Sequence, residues 1–204
     1  MFANSLLVIY FLEVFICLLI SFLRRKVDNS YLYLYFLLIL IVELLNKFTA
    51  LDGNRLYTIA SFLYMSYFTY YYAQTMPRHR NLIIGLGVLA NFSGLVFVLT
   101  TNQTFSVALG VTVSVYFVFL ALFWFFNQIN KTNSVIITRK QAFWVSTALL
   151  VWSVIFLFRS SLMYWLEEND LEFLLLFDNV FKIFVVVTYF AFLIAVTRKK
   201  MESQ

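Results

Sequence analysis

The 204-residue sequence holds one cysteine, one proline, one histidine and five glycines, and only 12% of its residues are charged. Each shortage excludes something. A lone Cys17 leaves no internal disulfide and no cysteine-based zinc site. His79 stands between Arg78 and Arg80 with no second histidine to share a metal. No H-E-x-x-H, G-x-S-x-G, phosphate-cradling glycine loop or Ser-His-Asp set occurs. The chain is therefore expected to be no enzyme and to carry neither metal nor cofactor. Charge is also too scarce to clothe a water-soluble domain, where about a quarter of residues are charged.

What is present instead is hydrocarbon. Apolar residues make up 63% of the chain and aromatic ones 21%, with a mean hydropathy of +0.87. That is the composition of an integral membrane protein. A helical span takes about 20 apolar residues, and seven runs of suitable length stand out: 5–23, 31–49, 57–73, 81–99, 106–126, 142–159 and 173–197. Turn-formers or charges separate them, as in Asp52-Gly53-Asn54 and Met76-Pro77-Arg78. The expected fold is all-α: a single polytopic domain over 1–204, built as a seven-transmembrane-helix bundle with no room for an extramembrane domain.

Charge alternates between the connections. One set carries Arg24, Arg25 and Lys26, then Arg78 and Arg80, then Lys131, Arg139 and Lys140, and finally Arg198, Lys199 and Lys200. The other set has Lys47, Arg55 and Arg159 and gathers the acids Asp52, Glu167, Glu168, Asp170 and Glu172. The positive-inside rule then puts the N-terminus outside and the C-terminus in the cytoplasm of a bacterial cytoplasmic membrane, and the alternation needs an odd number of spans. The net charge of +5 serves topology and lipid headgroups rather than nucleic acid. Met1 to Ile20 lacks a basic start and an A-x-A-like site, so no removable signal peptide is expected. Residues 127–140 read as a solvated inner linker, and 160–171 as an outer loop resting at the interface.

Ionisable groups at membrane depth are costly unless paired or wetted. Glu13 falls near the middle of the first span and has no partner on its own helix. Glu43 and Lys47, and Asp178 and Lys182, are acid-then-base pairs at i,i+4, the favoured helical orientation. Each pair could neutralise itself within its helix. Alternatively Glu43, Asp178, Lys182 and Arg159, with Glu13, form a ligand or ion pocket in the outer half of the bilayer. Taken alone, Arg159 reads as the end of the sixth span, snorkelling to the interface. Asn91 lies midway along the fourth. Tyr57, Tyr64 and Tyr71 recur at heptad spacing with Tyr67 beside them, either as a hydroxyl stripe on a cavity or as aromatic packing. Ala90-x-x-x-Gly94 and Gly110-x-x-x-Ser114 suit close helix contacts. The acids from Glu167 to Glu172 lack the spaced ligands and glycine of an EF-hand and read as a solvated loop.

Two resemblances bear on function. Asp178-Asn179-Val180-Phe181-Lys182 in the last span resembles the D-x-x-x-K of microbial rhodopsins, which implies a retinal Schiff base at Lys182. The third span, however, has no acid, and the sixth lacks W-x-x-Y-P. More broadly, the chain looks like small multi-span proteins of Bacteroidetes-type bacteria, some of which are membrane sensor modules of histidine kinases. Ala142-Phe143-Trp144-Val145, Trp152-Ser153-Val154-Ile155-Phe156 and the closing Thr197-Arg198-Lys199-Lys200 carry that likeness. It implies a sensor or receptor role, with any kinase on a separate polypeptide. The expectation is thus a non-enzymatic, receptor-like or regulatory membrane subunit. Its partners would be the lipid bilayer and a separate protein in the membrane or at the cytoplasmic face, with room for self-association. The alternatives are an ion, proton or small-solute translocator and a purely structural subunit. Few glycines, one loop proline and no internal repeat count against the broken helices of many transporters.

Overall fold

Long runs of leucine, phenylalanine, isoleucine and valine with almost no helix breakers favour helices, since a backbone in hydrocarbon must satisfy its own polar groups within the segment. The structure, a computed structural model, describes residues 2–25, 31–49, 52–101, 105–129 and 136–198. Lys26, Lys131, Lys199, Lys200 and residues 130–135 of the expected inner linker lie outside the described residues. Seven α-helices account for nearly all the rest: α1 (Phe2–Leu23), α2 (Leu32–Phe48), α3 (Gly53–Thr75), α4 (Arg80–Thr100), α5 (Val107–Ile129), α6 (Gln141–Asn169) and α7 (Leu171–Thr197). The few breakers sit at the ends. Asp52 caps α3, accepting from the Asn54 amide at 3.0 Å, and Pro77 opens a short 3₁₀ turn, Pro77–His79, ahead of α4. Asp170 caps α7 by accepting from the Phe173 amide at 2.9 Å.

Two expectations meet the structure differently. Among the described residues, five helical segments are both long and apolar enough to cross a membrane: Ser5–Leu23, Pro77–Thr100, Val107–Ile129, Gln141–Met163 and Leu171–Thr197; the other two expected spans correspond to α2 and α3. α2 is apolar but has 17 residues, about 26 Å at 1.5 Å per residue, against a hydrocarbon core of about 30 Å. α3 is long enough, but its six tyrosines lower its hydropathy. The second expectation, on the end of the sixth run, is corrected. No outer loop begins at Ser160; α6 continues to Asn169, and only Asp170 separates it from α7. The acids Glu167 and Glu168 thus lie on a helix and Asp170 is a cap, so the stretch is not the solvated loop its charges imply.

Consecutive helices pack side by side, α1 closes the ring against α7, and α3 reaches across to α5. Tyr10 meets Tyr189 edge-on at 5.0 Å, and the Arg24 guanidinium donates to the Val196 carbonyl at 2.7 Å, so the α1–α7 seam is tied along its length. Small residues make close contacts where the sequence places them. A methyl group on Gly94 would lie 2.9 Å from Leu109 of α5, and one on Gly110 would lie 2.9 Å from the Ser160 Cβ of α6. Buried hydroxyls turn back onto their own helices, Ser114 to the Gly110 carbonyl at 2.9 Å and Thr188 to that of Phe184 at 2.8 Å, the usual way to satisfy a hydroxyl inside an apolar bundle. Asn91 does likewise with Gly87 at 2.8 Å. Outward faces are apolar: Leu12, Phe15 and Leu19 on α1, Leu34, Leu37 and Ile41 on α2, and Val88, Leu89 and Phe92 on α4 are all exposed. A continuous apolar mantle of this kind suits lipid and would aggregate in water.

Candidate functional site

The interior is uneven along the bundle axis. In the half that holds the ends of α2, α4 and α6, the helices enclose a cavity of about 460 Å³. Its wall comes from the early turns of α1 (Leu6 to Phe11), α2 (Tyr35 to Glu43), the first half of α3 (Asn54 to Tyr64), α5 (Val113, Phe117), the middle of α6 (Leu149 to Met163) and α7 (Asp178 to Phe192). In the other half the core is solid: Phe36, Met65, Phe68, Tyr72, Leu120 and Trp124 are at most 1% exposed. Among the described residues, closely packed side chains thus back the cavity toward that end of the bundle.

Four of the five candidate residues, Glu43, Arg159, Asp178 and Lys182, line this cavity. Glu13 does not. It lies one turn further along α1 than Tyr10, buried, and one of its carboxyl oxygens has no hydrogen-bond partner among the described residues. The two i,i+4 pairs do not close within their helices. Asp178 instead accepts from Arg159 Nε of α6 at 2.9 Å, with the two side chains 31% and 33% exposed. Arg159 is thus no snorkelling helix end, because α6 runs on for ten residues and turns its guanidinium inward. That guanidinium also lies over the Phe181 ring at 4.9 Å. Lys182, one turn beyond Asp178, has neither ion pair nor hydrogen bond among the described residues.

Glu43 is held by hydroxyls. The Tyr10 hydroxyl donates to its Oε1 at 3.2 Å, and the Tyr57 hydroxyl lies 3.5 and 3.4 Å from its two oxygens. Asn46, one turn on from Glu43, donates to the Tyr57 oxygen at 3.1 Å and turns that hydroxyl toward the carboxylate. Lys47 is no ion-pair partner of Glu43; its amine sits near the Phe11 and Phe48 rings at 6.0 and 5.9 Å. The tyrosine stripe divides. Tyr57 and Tyr64 face the cavity, while Tyr71 is 2% exposed in the solid half and Tyr67 stacks on Tyr35 at 5.5 Å. Both readings of the stripe hold, each for its own half.

Sequence reasoning missed Tyr10, Tyr35 and Tyr189, which line the cavity from α1, α2 and α7. It also missed Trp152 and Phe156, whose rings stack at 4.5 Å on its α6 wall. Tyr10, Tyr35 and Tyr189 come one from each of three helices and leave no periodic trace, and the i,i+4 spacing of Trp152 and Phe156 does not say which face meets the cavity. The site can therefore offer a carboxylate ringed by tyrosines, an ion pair, a free amine and flat apolar walls. The chain matches no protein-family model, no curated protein and no solved structure.

Proposed function

We propose that the chain is a non-enzymatic, receptor-like or regulatory membrane protein. It spans the bilayer seven times, α2 and α3 completing the set inside the bundle, with the N-terminus outside a bacterial cytoplasmic membrane and the C-terminus within. A ligand enters the cavity from the outer side and alters a contact with a separate protein at the inner face. The observation that carries this reading is the cavity itself, with four charged side chains in a largely apolar wall and, among the described residues, closely packed aromatic and aliphatic side chains behind it. A cavity backed in this way suits a receptor; a conduit needs a path. Charge distribution supports the orientation: the described connections at the closely packed end hold Arg24, Arg25, Arg78, Arg80, Arg139, Lys140 and Arg198 and no acid, as a cytoplasmic end would.

Purification of the full chain from its own cells in maltoside detergent, followed by native mass measurement, tests the proposal. A protein retained at fixed stoichiometry is expected, with its retention or output changed in Glu43→Gln and Asp178→Asn variants of normal abundance. A solitary chain that passes protons or solutes across liposomes overturns it.

One observation favours the translocator as a second reading. Glu13, with its unpartnered buried oxygen, stands one turn from Tyr10, which donates to Glu43, a spacing that a proton relay would use. Proton flux in liposomes that is indifferent to Glu13→Gln removes that reading. The retinal resemblance gains nothing from the site. Asp178 is engaged by Arg159 and, among the described residues, no carboxylate lies within ion-pair distance of Lys182 to act as counterion to a protonated Schiff base there.

A further inference from the structure

The cavity holds four formal charges that sum to zero, but they are not matched pairwise. Arg159 and Asp178 cancel each other at 2.9 Å. What remains is one anion, Glu43, whose partners are tyrosine hydroxyls, and one cation, Lys182, with no partner among the described residues. They face the same space from α2 and α7. Glu43 is half-buried and Lys182 exposed, and a charge left single at membrane depth favours a counter-charge.

The surroundings of the two poles differ. Around Glu43 stand the rings of Tyr10, Tyr57 and Tyr64, with Tyr35 next to Tyr64 at 5.6 Å. Aromatic faces beside a carboxylate are the setting in which ammonium groups bind, through cation–π attraction added to the ion pair. Lys182 is a compact donor of three hydrogen bonds, suited to a carboxylate or phosphate. On the α6 wall of the same cavity, Trp152 and Phe156 stack at 4.5 Å and offer a flat apolar face.

We propose that this cavity binds a small zwitterion, its ammonium in the tyrosine ring at Glu43 and its carboxylate or phosphate at Lys182. This rests on the receptor reading above and specifies the ligand for that same site. The same chemistry can arrive as a free solute, such as a betaine, or as the headgroup of a zwitterionic lipid.

The full chain in maltoside detergent is titrated with L-carnitine, glycine betaine and phosphocholine, with choline and butyrate as single-charge comparisons. The binding readout is calorimetry or the shift in melting temperature. At least one zwitterion is expected to bind tenfold or more tightly than either single-charge compound. Glu43→Gln should erase the preference over butyrate, and Lys182→Met the preference over choline, with Glu43→Asp and Lys182→Arg restoring part of each. Melting curves of the unliganded variants identify any that fail to fold, and the conservative variants then carry the comparison. Equal affinity for phosphocholine and dodecylphosphocholine marks a free solute; a tenfold preference for the chain-bearing form marks a lipid headgroup, and either supports the proposal. Choline or butyrate binding as well as every zwitterion overturns it and leaves the receptor reading standing. No binding by any of the compounds overturns it as well, while a protein retained at fixed stoichiometry in the purification above keeps the receptor reading standing.

Discussion

Arg159 and Asp178 carry opposite charges on neighbouring helices, and each has a side chain about two-thirds removed from solvent. Removing one partner strands the other, whereas removing both leaves apolar groups that the largely apolar cavity wall tolerates. Arg159→Met is therefore expected to destabilise the protein by about 1–3 kcal/mol, discounted from a fully buried pair because water still reaches the site. The double variant Arg159→Met/Asp178→Leu should recover at least half of that loss. Melting temperatures of the two single variants and the double, taken as a cycle, check this; additive losses would mean the pair is not coupled. Tyr57→Phe acts on a longer contact, 3.4 Å to Glu43, and should cost about 0.5–1 kcal/mol by the same measurement. At this scale the sequence was informative about identity and silent about pairing. The spacing Asp178-x-x-x-Lys182 predicts a contact within one helix. The observed partner of Asp178 comes from α6, because the helix does not end where the apolar run does.

Among the helices, glycine is used in two ways that a substitution can separate. Gly110 of α5 faces α6 so closely that an added methyl would lie 2.9 Å from Ser160 Cβ. Gly85 of α4 has nothing within 4 Å of that position. Gly110→Ala should cost about 1–3 kcal/mol through forced separation of the helices. Gly85→Ala should be neutral or stabilise by up to about 1 kcal/mol through helix propensity. Parallel thermal melts decide it, and equal effects would show that the α5–α6 contact is not tight. The helices themselves were largely legible. Composition pointed to their existence, and the breaks at Asp52 and Pro77 to two of their starts; Asp170, read as part of an acidic loop, is instead the cap of α7. Two things were not legible. The 17-residue length of α2 and the mixed polarity of α3 do not follow from an apolar count. The ten residues of α6 beyond Arg159 are held as helix by Asp170 and the start of α7, a constraint that no apolar count registers.

The molecule as a whole has two unlike ends, one with a cavity under acidic connections and one closely packed under basic connections. Cys17, the sole cysteine of the chain, is fully buried, so single reporter cysteines can be placed without background. Glu168→Cys should react with a membrane-impermeant maleimide on intact cells, and Arg78→Cys only after the membrane is opened. The reverse pattern would invert the orientation and put the cavity on the cytoplasmic side. Closure of the ring carries a consequence for biosynthesis. α1 leaves the ribosome well before its seam partner α7, so the surface of α1 that holds Cys17 against the Tyr189 carbonyl waits unoccupied while α2 to α6 are inserted. Closing such a seam is a contact between distant parts of the chain, slow to form and dependent on completed synthesis. Truncation after residue 170 should therefore leave Cys17 open to a lipid-soluble maleimide that the full chain resists. Nascent chains arrested at that length would be the form most visible to membrane quality control.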